Sequence, residues 1–485
     1  VKRRKAIQQI GAGVAGGFLL PSFLSRCTPA DPGPEVNYAG TVAILGAGAS
    51  GLYVADILRS KGIKVAVYEA SGQVGGRIRS LRNQSSTVYP SIPDISSDFP
   101  LELGAQTILG SDSIMGKVFQ VYRLPTTEFT SESSHFVLDN IVKSSADWSG
   151  DGDVAAALSF RQNLKSLSGN SGTVQQAIQS AGVAARAHGM LNGMIGNAYG
   201  ADNDVVGAGG LGEEETLRVT DGKIITLTGN PLQDLLISRF SEVQQYVKMN
   251  TRITSIDYGS DPITLTSGDG STFQADKVIV TVPVSILKSG GLSFNPGLPG
   301  AFTGSLAKIG MGASLRVIIE FKRNFWGDGA GFIYGSNDFP EFLSVGLNRS
   351  VFNATLSVTV NGPKATAYSS LGDGVIASIL ADLDVLYGGQ ASLYVRKKVV
   401  DGIETEPIFL REDWTTNEHI LGGYSIPLAG ATNDDRKAIG QPISNKLFFA
   451  GEATDVSGQA GMVNGALASA ERCAEEVVTS ILNPG

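Results

Sequence analysis

Gly46-Ala47-Gly48-Ala49-Ser50-Gly51 sets three glycines at G-x-G-x-x-G spacing, and an acid, Glu69, stands 18 positions beyond the last of them. Residues of these types in this order hold the pyrophosphate of a dinucleotide. Gly46 permits a tight turn, Gly48 lets the backbone approach the phosphates, and Gly51 lets a helix pack closely on the preceding strand. N–H groups at the start of that helix, around Ser50, meet an anion with partial positive charge. Glu69, followed by Ala70, can accept hydrogen bonds from ribose hydroxyls, and its charge repels a 2′-phosphate.

Such a site needs strands to deliver the glycines and the acid. Thr41-Val42-Ala43-Ile44-Leu45 is β-branched and apolar, Leu52 to Ser60 has helical spacing, and Lys64-Val65-Ala66-Val67-Tyr68 reads as a second strand ending at Glu69. The same glycine spacing recurs at Gly11-Ala12-Gly13-Val14-Ala15-Gly16. There no strand precedes it, Pro21 soon interrupts it and no acid follows at the required distance. That stretch instead forms the apolar part of an N-terminal signal: it follows Lys2-Arg3-Arg4-Lys5, a basic, twin-arginine-like start. Residues 1–27 therefore read as a signal peptide and 28–39 as a linker. Cys27 ends a segment resembling a lipoprotein cleavage box, with Arg26 where a small residue is usual, and is a candidate lipid anchor. The expected location is the periplasm or the cell envelope, reached through the twin-arginine export machinery.

Beyond the acid, Ser71-Gly72-Gln73-Val74-Gly75-Gly76-Arg77-Ile78-Arg79-Ser80 adds a glycine pair and two arginines. Glu102-Leu103-Gly104-Ala105 follows. Near the other end stand Leu447-Phe448-Phe449-Ala450-Gly451-Glu452-Ala453-Thr454 and Gly461-Met462-Val463-Asn464-Gly465-Ala466. Together these motifs resemble the flavin-containing amine oxidase family. The resemblance implies non-covalent FAD, a small-molecule amine substrate, and O2 or another electron acceptor. It implies an α/β fold in which a Rossmann-like FAD-binding domain (40–110, 225–300 and 405–482) is interleaved with a mixed α+β substrate-binding domain (111–224 and 301–404).

By the same resemblance, Gly76, Arg77 and Glu452 lie near the pyrophosphate, with Gly451 beside them. Gly104 and Ala105 pass close to the flavin, Ile253 contacts the adenine, and the Val463 amide faces the flavin N1–C2=O edge. A helix start suits that edge because it favours the negative charge of reduced flavin. Tyr424, in Gly422-Gly423-Tyr424-Ser425, would be one wall of an aromatic cage for the amine, with Trp414 beside it.

Three positions depart from the pattern. Gly423 stands where some monoamine oxidases carry the cysteine that bonds FAD. Met462 replaces the second cage aromatic, so the cage has one ring. Arg316 replaces a lysine whose water contacts flavin N5; its planar fork does not place one water as an ammonium does. That change favours a dehydrogenase with another acceptor over an oxidase. Gln106-Thr107-Ile108-Leu109 holds no arginine to clamp a carboxylate, which argues against free amino acids. The rival readings are a flavin-dependent desaturase of a hydrophobic non-amine substrate and a non-catalytic, lipid-anchored flavin-binding protein.

Composition narrows the field. The 485 residues carry a formal charge of −8, with no basic footprint for nucleic acid. Two cysteines and three histidines suit neither a disulfide framework nor a metal site. A 42% hydrophobic chain can build sizeable cores, and 61 glycines imply many close backbone approaches.

Overall fold

The alternation of Val42 and Ile44 with Ala43 and Leu45 places these side chains on opposite faces of one strand, and both faces are buried. In the computed structural model, which describes residues 35–81, 101–336, 338–348 and 354–483, this strand is the centre of a parallel sheet. Its order is Val247–Lys248, Lys64–Tyr68, Thr41–Leu45, Lys277–Val280 and Leu447–Phe449. Burial on both faces is what a parallel sheet requires. The signal peptide, Cys27 and most of the 28–39 linker lie outside the described residues.

On one face, Val42, Ile44, Ile279 and Phe448 pack with Leu52, Tyr53 and Leu58 of helix Ala49–Ser60 and with Leu467, Ala470, Cys473 and Val477 of helix Val463–Leu482. The first and last long helices thus lie against one another. On the other face, Ala43, Leu45, Val278, Val280 and Phe449 pack on Ile253, Ile256, Ile263 and Leu265. Those residues come from a four-stranded sheet ordered Thr272–Ala275, Ile263–Ser267, Ile253–Asp257 and Ser293–Asn295.

A seven-stranded mixed sheet forms the second half. Its order is Phe409–Asp413, Ser314–Glu320, Thr355–Asn361, Glu341–Ser344, Phe332–Tyr334, Ser134–Leu138 and Ile141–Ser144. Leu315, Val317, Ile319, Leu356, Val358 and Val360 pack on Ile376, Ile379, Leu380 and Leu383 of helix Val375–Tyr387. The alternate residues face the other way; apart from Ile318 and Leu410, several are polar although buried: Arg316, Ser357, Thr359, Asn361 and Glu412. A polar, buried sheet face is costly unless its groups are bonded or serve a ligand.

Two expectations are corrected. Phe409–Asp413 belongs to this seven-stranded sheet, in antiparallel register with Leu315–Ile319, rather than with the 405–482 cofactor segment. The helical spacing of Val375 to Leu386 sets Asp373 before and Gly388 after as caps, but Asp373 lies in a preceding 3-10 turn, where its Oδ1 accepts from Arg411 Nε at 2.9 Å. Gly388 does end that helix in a left-handed conformation. Among the described residues, no helix is long and apolar enough to cross a membrane.

Candidate active site

The glycine loop leaves the C-terminal end of the central strand, where ligands of open parallel sheets bind. Gly46 has φ +109°. A Cβ on Gly51 would collide with the Gly46 carbonyl, whereas one on Gly48 would find only Gly75 O, at 4.0 Å. Gly48 is therefore glycine for the sake of an open cradle, and Gly76 faces it: a Cβ there would lie 3.4 Å from Gly48 Cα. At the start of helix Ala49–Ser60 no side chain caps the N–H groups, and Ser50 Oγ is buried without a protein partner. An uncapped helix start with an orphaned hydroxyl fits an anion.

Glu69 follows the second strand, is 8% exposed, and is already bonded within the protein. Its Oε2 accepts from Ala47 N at 2.7 Å, and its Oε1 accepts from Ser71 N and Ser71 Oγ, each at 2.8 Å. These bonds fix the glycine loop and leave further lone pairs for hydroxyl donors. Ala70 is half-buried beside it. Ile253 is buried in the apolar cluster that also holds Leu45 and Tyr68.

Arg77 and Glu452 meet on the other side of the cradle. Arg77 Nη1 donates to Glu452 Oε1 at 2.7 Å and to Gly423 O at 2.8 Å. Glu452 also accepts from Ser425 Oγ at 2.5 Å and from Gly461 N at 2.8 Å, both at Oε2. Burial raises its pKa, but Arg77, Ser425 and Arg436 outweigh that and hold the carboxyl below its ordinary value. With both oxygens in use, Glu452 ties Arg77, the Tyr424 turn and the start of the last helix together. Arg77 and residues 280–284 and 449–454 line one cleft at the ends of the parallel strands.

Tyr424 is half-buried. A Cβ on Gly200 would stand 2.8 Å from its Cδ2, and one on Gly461 would stand 3.5 Å from its Cβ, so bare backbone lies against the ring at Gly200 and against the side-chain root at Gly461. At Gly423 a Cβ would lie 2.6 Å from Ser314 Cβ, which closes that position to a larger residue. Met462, half-buried and extended, precedes Val463, the first residue of the last helix, and no side chain caps that start either. Asn464 fixes it by accepting from Met115 N at 3.0 Å and donating to Leu109 O at 3.2 Å.

Arg316 and Trp414 both reach the Glu102–Ala105 segment. Trp414 Nε1 donates to Leu103 O at 3.0 Å. Arg316 Nη1 donates to Glu102 O at 3.1 Å and to Gly104 O, and its Nε donates to Thr359 Oγ1 at 3.2 Å. Gly104 abuts the Arg77 carbonyl, and Ala105 N bonds it at 3.0 Å. Two acids flank the guanidinium. Burial pushes Glu102 up to about 7 against the pull of Leu232 N, Ser80 and Arg316. Burial likewise pushes Glu341 up to about 7 against Arg316 and Asn197.

The family model for flavin-containing amine oxidoreductases matches residues 49–478. The chain belongs to that family. Among its relatives are polyamine oxidase 4 of Oryza sativa subsp. japonica, 24% identical over 505 residues (96% of this chain, 92% of the relative), and lysine-specific histone demethylase 2 of Homo sapiens, 24% identical over 434 residues (87% of this chain, 51% of the relative). Solved structures with this fold include wild-type putrescine oxidase bound to putrescine, with TM-score 0.73 and 20% identity over 91% of this chain and 99% of the other. Cyclohexylamine oxidase from Brevibacterium oxydans IH-35A has TM-score 0.73 and 17% identity over 92% and 100%.

This amine oxidoreductase is an FAD-dependent enzyme acting on CH–NH groups. The open cradle at Gly48 and Gly76, the orphaned Ser50 hydroxyl and the uncapped helix starts at Ala49 and Val463 all fit FAD. Sequence reasoning did not single out the half-buried Glu341 or the sealed pair Glu214 and Arg436, the last of these 1% exposed. The signal available for Arg436 was its position 16 residues before Glu452, but nothing local distinguishes it from a solvated arginine.

Proposed function

We propose that this amine oxidoreductase binds a small neutral amine against the Tyr424 turn and oxidises it. Bound FAD would supply the two-electron acceptor for a hydride equivalent from the amine α-carbon, giving an imine that water hydrolyses to a carbonyl compound and ammonia or a smaller amine. The chain's task is to orient the amine and keep water out. Gly48, Ser50, Gly51, Glu69, Gly76, Arg77 and Gly451 hold the dinucleotide half; Gly104, Ala105 and Val463 border the ring; and Tyr424, Trp414 and Met462 wall the amine.

The observation that carries this reading is the Tyr424 turn, pinned to the pyrophosphate side of the cradle through Arg77 and Glu452. FAD is held without a covalent bond, since Gly423 leaves no room for a linking side chain. Arg316 supports a dehydrogenase reading, because its donors are engaged with Glu102 O, Gly104 O and Thr359 rather than directing one water. Export through a twin-arginine route, with lipid attachment at Cys27, completes the proposal and rests on residues 1–27 alone. Replacing Arg3 and Arg4 with lysine should retain the protein in the cytoplasm, and unchanged secretion would remove that part.

The deciding experiment records the visible flavin band anaerobically before and after addition of amines, and then admits air. Bleaching by an amine supports the proposal, and slow recovery in air supports a non-oxygen acceptor. A flavin band that no amine bleaches would shift the reading to a desaturase or a binding protein.

A further inference from the structure

Glu213, Glu214 and Glu215 stand in succession near the end of helix Ala208–Leu217. Three consecutive acids usually mark a solvated face. Here each carboxylate serves a different part of the fold. Glu213 Oε2 accepts from Asn433 N at 2.6 Å, in the first turn of helix Asn433–Ile439. Glu215 Oε1 accepts from Arg218 Nη1 at 2.9 Å and from the Tyr199 hydroxyl. Glu214 Oε1 accepts from Arg436 Nε at 2.6 Å, and this pair is sealed, at 2% and 1% exposure.

The rest of the Arg436 fork reaches the residues around Tyr424. Nη1 donates to Ser425 Oγ at 2.8 Å and to Ala453 O at 3.1 Å, and Nη2 donates to Ser425 O at 3.3 Å. Ser425 Oγ donates in turn to Glu452 Oε2, while Arg77 holds Glu452 Oε1 and Gly423 O. The carbonyls immediately before and after Tyr424 are therefore each held by a different guanidinium, and Glu452 joins the two arginines. Stability alone does not demand such an arrangement, because a buried ion pair is often no better than apolar packing. A rigid, many-donor fork does suit the fixing of a turn.

We propose that Arg436, anchored by Glu214, is a positioning residue for the amine site: it sets the orientation of the Tyr424 turn and so of the wall that receives the amine. This rests on the reading that Tyr424 lines the amine site. Arg436 acts through Ser425 and Glu452.

The test is a double-mutant cycle of Arg436→Lys with Tyr424→Ala, using the FAD-loaded protein and the amine that best bleaches it. Lysine keeps the charge opposite Glu214 but cannot bridge Glu214 and both Ser425 oxygens. Arg436→Lys should raise KM about tenfold with kcat changed less than about threefold, and should add less than about twofold in the Tyr424→Ala background. FAD affinity of the apoprotein and its thermal midpoint provide readouts independent of turnover: the affinity should stay close to wild type, while the midpoint should fall through the lost charged hydrogen bonds. An unchanged KM with a lowered midpoint, or losses that multiply across the cycle, would overturn the proposal. If Arg436→Lys does not fold, Glu214→Gln, which releases only the anchor, takes its place in the cycle; failure of both to fold assigns the pair to the core and also overturns the proposal. A wild-type protein that no amine bleaches removes the amine site itself, whereas turnover with a multiplicative cycle removes only the role of Arg436.

Discussion

Arg77 and Glu452 are 375 positions apart in the chain and 2.7 Å apart in the fold. This contact joins the Ser71–Ser80 motif to the Leu447–Thr454 motif, and it does so with an ion pair whose acid is almost sealed from water. Glu452→Ala would leave Arg77 without its carboxylate and the Ser425 hydroxyl without its acceptor, at a cost of about 3 kcal/mol. The expected outcome is a lower thermal midpoint and a lower FAD-to-protein absorbance ratio in the purified protein. Unchanged flavin content would remove the proposed link between this pair and the cradle. Because the Glu452 carboxyl is held below its ordinary value, its contribution is complete above the usual carboxylate range and is lost as pH falls through the lowered value. The stability gap between wild type and Glu452→Gln should therefore close on acidification.

The glycine loop allows two nearly identical substitutions to be told apart. Gly48 has φ −76°, which any residue adopts, and open space beyond it, so Gly48→Ala should fold with the apoprotein's stability changed by less than about 0.5 kcal/mol. Its methyl group would occupy the cradle, and FAD retention should fall sharply. Gly51→Ala drives a Cβ into the Gly46 carbonyl and should destabilise the apoprotein itself by about 1–3 kcal/mol or more. Titrating FAD into both apoproteins, alongside thermal melts, separates the two cases.

Arg316→Lys tests the electron acceptor. The substitution exchanges a fork bonded to two carbonyls and a hydroxyl for one ammonium and opens room for a water. Loss of a charged hydrogen bond should cost about 1.5–3 kcal/mol. The visible band bleached by amine should return faster in air than in wild type. An equal rate of return would sever the connection between Arg316 and oxygen.

Glu102 behaves oppositely to Glu452. Its carboxyl, raised by burial to about 7, opposes folding increasingly as pH climbs from its ordinary value to about 7, and by a constant amount above that. Glu102→Gln keeps an acceptor for Leu232 N and a partner for Ser80. It should stabilise the protein by about 1–3 kcal/mol at pH 8 and by little below pH 5, as read from denaturant melts at the two pH values. A stabilisation independent of pH would point to packing instead.

The features legible in the sequence share a cause: each is a backbone requirement met within a few residues. Gly46, Gly48 and Gly51 announce a turn, a close approach and a helix contact, and the β-branched, apolar run Thr41–Leu45 announces the strand that delivers them. Glu69 was legible as an acid in the right place, but its bonds to Ala47 and Ser71 were not, because they depend on how the loop folds back. Arg436 and Glu214 were hidden for a stronger reason. Their separation is 222 residues, and a buried charge with a partner looks, as a letter in the chain, like a solvated one. The strand Phe409–Asp413 was assigned to the wrong half because sequence order favours neighbours, whereas its ladder is made with Leu315–Ile319.

The packing of helix Ala49–Ser60 on helix Val463–Leu482 governs the order of events during synthesis. Apolar side chains such as Leu52 and Leu58 emerge from the ribosome hundreds of residues before their partners Leu467 and Val477. Strand Leu447–Phe449 arrives almost as late. Contacts this distant in sequence close slowly, and until they close the nascent chain carries an uncovered apolar flank exposed to chaperones and to aggregation. Any route that carries this polypeptide across a membrane during translation would carry it before the FAD-binding half exists.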